Sequence, residues 1–100
     1  MSIRNLEKIF DPKAVAVVGA SDDTHSVGYT LFRNLRSSGF EGPVYPVNPR
    51  RDKVQGVRAF PTVGKLPGAV DLVAVASPAA SVPDVIEQCG RAGILGVIVT

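Results

Sequence analysis

Apolar residues fall along this chain in short blocks that alternate between two spacings. Ile3, Leu6, Ile9 and Phe10 recur at helical intervals, which predicts a short leading helix. Asp11-Pro12 ends it, because the residue before a proline disfavours the α region. Ala14-Val15-Ala16-Val17-Val18 is then apolar without alternation, as a strand covered on both faces requires, and it runs out at Gly19-Ala20-Ser21. After the polar stretch from Asp22 to Ser26, Val27, Leu31 and Leu35 lie four residues apart with Arg33 and Arg36 turned elsewhere. This spacing predicts an amphipathic helix over Val27 to Ser38, closed by Gly39.

The second half repeats the alternation. Val44-Tyr45-Pro46-Val47-Asn48 reads as a short strand with one imperfect ladder position, since Pro46 has no N–H to donate. Residues 49–56 form a polar connection, followed by an expected edge strand from Val57 to Phe60 and a loose turn through Pro61 and Pro67. Asp71 to Ala76 is a second buried strand. Val82, Val85, Ile86 and Cys89 take helical positions i, i+3, i+4 and i+7, with Ser81 and Pro83 at the start and Gly93 after the end. Ile94 to Val99 is a third buried strand, and the chain stops at Thr100 with no helix after it.

Strands alternating with helices predict parallel βαβ units with right-handed crossovers. The expected fold class is α/β: a Rossmann-like parallel sheet with helices on both faces, in the spatial order 57–60, 44–48, 14–19, 71–76, 94–99. A doubly wound sheet normally continues beyond its central strands. Residues 1–100 are therefore expected to be one domain, truncated on its C-terminal side, at the start of a longer protein.

Composition narrows the function classes. One hundred residues with 45% hydrophobic and 20% charged content suit a single domain with a buried core. Eleven basic against nine acidic residues give a net charge of only +2, which makes no global case for nucleic acid or a membrane surface as partner. Any anion site must be local. A lone Cys89 forms no internal disulfide, the start MSIRNLEKIF lacks a signal-peptide pattern, and no apolar run approaches membrane-spanning length. A cytoplasmic location is expected.

In a sheet of this order, ligands bind beyond the carboxyl ends of the strands where the strand order reverses, between the first strand and the Asp71 strand. The loops 19–28 and 76–78 face each other there. Gly19 allows a tight turn, and Gly28 at the helix start is expected to let a phosphate approach backbone N–H groups at the positive end of the helix dipole. Ser21, Thr24 and Ser26 add hydroxyls, while Asp22 and Asp23 must point away from any phosphate. A strand-to-helix turn with no ligand is the alternative.

Gly19-Ala20-Ser21-Asp22-Asp23-Thr24 lacks the later glycines of the dinucleotide fingerprint. At the end of the second strand, where an NAD protein carries an acid, this chain has Asn48-Pro49-Arg50-Arg51. Guanidinium groups there suit a phosphorylated ribose, as in NADP or coenzyme A; a solvated charged turn is the alternative. One histidine and one cysteine build no multi-ligand metal site. His25 belongs to an exposed polar loop, Cys89 to the apolar stripe of its helix, and Ser77 is a ligand-contact candidate without the glycine flanks of a nucleophile elbow. No residue is assigned a catalytic role.

Leu6-Glu7-Lys8-Ile9-Phe10-Asp11-Pro12, Ala14 to Ser21, Ser26-Val27-Gly28, Gly42 to Pro49 and Asp71 to Ala79, in this order and spacing, resemble the amino terminus of the NDP-forming acyl-CoA synthetase family. The resemblance implies a CoA-binding Rossmann-like domain, similar to that of the succinyl-CoA synthetase alpha subunit, with coenzyme A or acyl-CoA as its ligand. By that likeness Gly19, Ala20, Ser21, Ser26, Val27 and Gly28 surround the CoA phosphates. Val47, Asn48, Pro49 and Arg50 lie along the nucleotide end, with Arg50 as the basic phosphate contact. Ala76, Ser77, Pro78 and Thr100 line the pantetheine path. The family's phosphohistidine and ATP-grasp module belong to later domains, and His25 does not match the phosphohistidine position. An ADP-forming acid–CoA ligase is the favoured parent, its downstream ATP-grasp domains being the partners. A GNAT-fused protein lysine acetyltransferase, an NADP-binding redox or sensor module and a stand-alone CoA-binding protein are the alternatives.

Overall fold

A computed structural model describes residues 13–68, 70–76, 82–92, 94 and 96–99. The expected leading helix, and Ser77, Pro78 and Thr100, lie outside these residues.

Four parallel strands form the sheet: β1 (Val15–Val18), β2 (Val44–Val47), β5 (Leu72–Val75) and β6 (Gly96–Val99) stand in the order β2-β1-β5-β6. Val15 faces Val44 on one side and Leu72 on the other, and Leu72 faces Gly96. The uninterrupted apolar run of β1 has its reason in two cores. Alternate side chains point to opposite faces of a strand. Ala14, Ala16 and Val18 therefore join Val73, Val75, Val85 and Cys89 on one face, while Val17 joins Ala20, Phe32, Val54 and Ala59 on the other. Helix α1 (Val27–Ser37) covers the second face against β1 and β2, and α2 (Val82–Arg91) covers the first against β5 and β6.

Ser26 starts α1. Its backbone is extended (φ −91°, ψ 153°), and its Oγ accepts a hydrogen bond from the Tyr29 N–H at 3.1 Å, satisfying one of the donors that a helix start leaves open. The buried side of the helix is Gly28 and Phe32, with Leu31 and Leu35 half-buried. Val27, placed by its spacing on the buried stripe, is instead 60% exposed. The glycine contact described below turns α1 so that position 28 meets the sheet and position 27 does not. In α2 the same correction applies to Ile86, 48% exposed, while Val85 and Cys89 are buried as their spacing predicts.

Pro46 costs the sheet no ladder bond to β1. Its carbonyl accepts from the Phe60 N–H at 3.0 Å, and the Asn48 N–H donates to the Phe60 carbonyl at 2.9 Å. The N–H and C=O of one strand residue point to the same side, so the missing donor of Pro46 lies on the outer edge of β2, where proline is tolerated. Phe60 is held there by a parallel bridge to Val47 and an edge-to-face contact with the Tyr45 ring at 5.8 Å.

The expected edge strand over Val57 to Phe60 is only partly formed. Phe60 alone bridges to β2. Val57–Arg58 (β4) pairs antiparallel with Lys53–Val54 (β3) in a separate two-stranded ribbon, inside the stretch expected to be a polar connection. The reason is the two-residue turn Gln55-Gly56, whose φ angles of 50° and 78° are those of a primed hairpin turn. Val54, fully buried in the α1-side core, anchors the ribbon. A short 3₁₀ turn, Val63–Lys65, then leads to β5, with Val63 buried against the α2-side core.

Candidate functional site

Beyond the carboxyl ends of β1, β2 and β5 lies a cleft of ≈ 580 Å³. Its floor is the exit of β1 at Val18 and Gly19; one wall is Val47 to Arg50 with Pro61 to Val63, and the other is Ala76 with Asp84, Val85 and Gln88 of α2. This is the point where strand order reverses, the place such sheets use for ligands. The size is that of a small-molecule site.

Each wall has a local cause. Gly19, at φ 88°, turns the chain sharply away from β1 while its N–H still donates to the Val47 carbonyl at 3.0 Å. The Ala76 N–H donates to the Val18 carbonyl at 2.8 Å, so the strand exits stay in register up to the cleft. Asn48 ties two exits together: its Nδ2 donates to the Ala20 carbonyl at 2.9 Å, and its Oδ1 accepts from the Arg50 N–H at 2.8 Å, an Asx turn that sets the path of Pro49 and Arg50.

Six of the residues expected to contact ligand line this cleft: Gly19, Val47, Asn48, Pro49, Arg50 and Ala76. Arg51 is exposed and does not line it. Ala20 is fully buried in the α1-side core, and its carbonyl accepts from Asn48. Ser21, Ser26, Val27 and Gly28 belong to the turn into α1 and are not among the lining residues.

Two positions in that turn are fixed by contacts within the protein. A Cβ on Gly28 would lie 1.9 Å from the Gly19 carbonyl oxygen and 2.8 Å from its carbon. A side chain is excluded there because helix and strand backbones touch, the role of the third glycine in a dinucleotide turn. The Ser26 hydroxyl is also committed, donating to the Asp23 carbonyl at 2.8 Å while accepting from Tyr29.

The acids of the turn are accounted for as well. Asp23 Oδ1 accepts from the His25 N–H at 3.0 Å, and Asp22 Oδ1 accepts from the Gln55 N–H at 2.7 Å. His25 has its side chain 94% exposed, 3.6 Å from Asp23. Cys89 is buried in the core, and burial pushes its thiol pKa up, opposite to what a nucleophile needs.

Val18, Pro61, Thr62, Val63, Asp84, Val85 and Gln88 also line the cleft, beyond the residues that the sequence points to. The fold-back of Phe60 onto β2 carries Pro61 to Val63 over the cleft, and no local pattern announces a single-residue bridge. Asp84 and Gln88 occupy the next turns of one helix face beside Val85, a spacing that sequence alone does carry.

The residues present suit coenzyme A. Val18, Val47, Val63 and Val85 give the cleft apolar surface that could take a base, and Arg50, also among its lining residues, carries a guanidinium that could donate to a phosphate.

Comparison with known proteins agrees with this geometry. The CoA binding domain family matches residues 13–100. Acetate–CoA ligase [ADP-forming] II of Archaeoglobus fulgidus is 39% identical over 98 residues, covering 98% of this chain and 15% of the ligase. A structure of the dinucleotide forming acetyl-coenzyme A synthetase 1 of Ca. Korarchaeum cryptofilum, in complex with phosphate and ADP, superposes with a TM-score of 0.85 at 43% identity, over 92% of this chain and 20% of that one. A conserved hypothetical protein of Pyrococcus furiosus superposes with a TM-score of 0.80 at 30% identity, over 88% of this chain and 74% of that one.

The chain belongs to the CoA binding domain family. It is homologous to a part of the ADP-forming acid–CoA ligases and spans about 15% of the length of the first of them. These relatives favour the ligase likeness over an acetyltransferase or NADP module. Among the described residues no helix is long and apolar enough to cross a membrane.

Proposed function

We propose that this chain binds coenzyme A or acyl-CoA in the switch-point cleft, as the CoA-binding module of an ADP-forming acid–CoA ligase. The observation that carries the proposal is the meeting of the Gly19 turn, the apolar walls and Arg50 in one cleft, at a strand end that offers a cation where an NAD site offers an acid. The base rests between Val47, Val63 and Val85, and the 3′-phosphate lies toward Arg50. The pyrophosphate follows the turn through Ala20, Ser21 and Ser26 to Gly28 at the start of α1, where backbone N–H groups and the helix dipole favour an anion. Pantetheine leaves past Ala76, with Ser77, Pro78 and Thr100 as its proposed contacts.

The module binds and orients the thiol-bearing substrate. Phosphoryl transfer falls to ATP-grasp and phosphohistidine segments of the parent. Calorimetric titration of the chain with CoA and with NADPH tests the assignment: CoA binds more tightly, and tighter NADPH binding overturns it. Incubated alone with acid, ATP and CoA, the chain yields no acyl-CoA; turnover overturns its role as a binding module.

A further inference from the structure

Gln55 stands at the tip of the β3–β4 ribbon with φ 50°, a left-handed conformation that glycine or asparagine adopts far more readily. Its side chain explains why a glutamine is nonetheless there. The two protons of the Nε2 amide have two acceptors: the Ser21 carbonyl at 3.2 Å and the Tyr29 carbonyl at 3.1 Å. These carbonyls bracket the turn that leads from β1 into α1.

The backbone of the same residue adds two further ties. Its N–H donates to Asp22 Oδ1 at 2.7 Å, and its carbonyl accepts from Arg36 Nη1 at 3.2 Å. Arg36 in turn lies over the Phe32 ring, 5.4 Å from its centre. The ribbon itself is rooted by Val54 in the core beside Phe32. One residue therefore spans both ends of the turn and holds an acidic side chain within it.

We propose that Gln55 is a positioning residue for the turn 21–29: the strained hairpin tip fixes its span and engages the Asp22 carboxylate, presenting backbone N–H groups to a pyrophosphate. The proposal rests on the CoA assignment above. It makes the hairpin a strap whose effect is confined to the pyrophosphate, and not a general support of the cleft.

The test is Gln55→Gly, which removes the amide while relieving the left-handed backbone, so the hairpin tip keeps its shape and only the ties to the turn 21–29 are lost. Gln55→Asn is the second variant: it tolerates the same φ and keeps an amide one methylene too short to reach both carbonyls. Each variant and the wild type are titrated by amide NMR with CoA and with adenosine 3′-monophosphate, which lacks the pyrophosphate. The expected result is CoA binding about tenfold weaker in both variants, unchanged binding of the mononucleotide, and an unchanged Tm for Gln55→Gly. Equal CoA affinity in wild type and variants overturns the positioning role and leaves the CoA assignment standing. A parallel loss for both ligands also overturns it, because that is the mark of a structural residue. Should Gln55→Gly fail to fold, Gln55→Asn decides by the same criteria. A wild type that binds no CoA overturns the assignment itself, and the positioning role with it.

Discussion

Gly28 meets the carbonyl of Gly19 so closely that no side chain fits between them: a Cβ would stand 1.9 Å from the oxygen. Gly19 itself turns at φ 88°, so this one crossing sets where β1 ends and how α1 leaves it. Gly28→Ala must push backbone against backbone, which no rotamer change relieves. The expected loss is about 3 kcal/mol of stability or more, at the upper end of overpacking costs. Urea unfolding measures it; a variant within about 1 kcal/mol of wild type shows that the helix slides freely at this point.

Much of the architecture is legible in the sequence because burial on two faces leaves a plain mark. Val15–Val18 and Leu72–Val75 carry unbroken apolar runs, and both prove to be central strands. Phe32 was harder to read. It belongs to the face set by Gly28, and a stripe counted from Val27 runs one residue off that face.

The β3–β4 ribbon leaves little mark in the sequence for a different reason. Gln55 in a left-handed conformation contradicts its local preference and is held by partners at Ser21, Asp22 and Tyr29, which lie 26 to 34 residues away. Gly56, in the pair Gln55-Gly56 between Val54 and Val57, is the one local turn residue. The cleft wall at Pro61 to Val63 depends on the Phe60 bridge, again a tertiary choice with no local pattern.

Asp84 lines the cleft from the first turn of α2, where its negative charge suits the helix dipole but opposes a phosphorylated ligand. Asp84→Asn keeps the shape and removes the charge. CoA affinity is expected to rise two- to fivefold, roughly 0.5–1 kcal/mol for an exposed charge, and the gain should shrink as salt is added. A loss of affinity would instead make the carboxylate a direct acceptor for the ligand.

Cys89 ties stability to pH. Burial raises its thiol pKa in the folded chain above the ordinary value of 9.0. Where the unfolded thiol has ionised and the folded one has not, the unfolded state binds fewer protons, so stability falls as pH rises. The contribution of the neutral thiol is complete below the unfolded value and is lost as pH rises through the folded one. Cys89→Ser has no such titration, so the stability difference from wild type should be constant from pH 7 to 8 and change above pH 9, by denaturant unfolding under reducing conditions. A thiol reagent should react with the wild type slowly until urea is added.

Arg50 and Arg51 are neighbours with different surroundings: the first lines the cleft and the second does not. If Arg50 pairs with the 3′-phosphate of CoA, the contact is worth roughly 1.5–3 kcal/mol, or about one to two decades of affinity. The comparison is CoA against 3′-dephospho-CoA in the wild type, Arg50→Ala and Arg51→Ala. For Arg50→Ala the discrimination between the two ligands should largely vanish, because mutation and missing phosphate delete the same contact and are non-additive. For Arg51→Ala both ligands should weaken alike, and the loss should fade with salt, as a field effect does. Discrimination kept intact by Arg50→Ala would move the ribose phosphate away from the end of β2. Discrimination lost only in Arg51→Ala would assign the contact to the outer arginine, against its place outside the cleft.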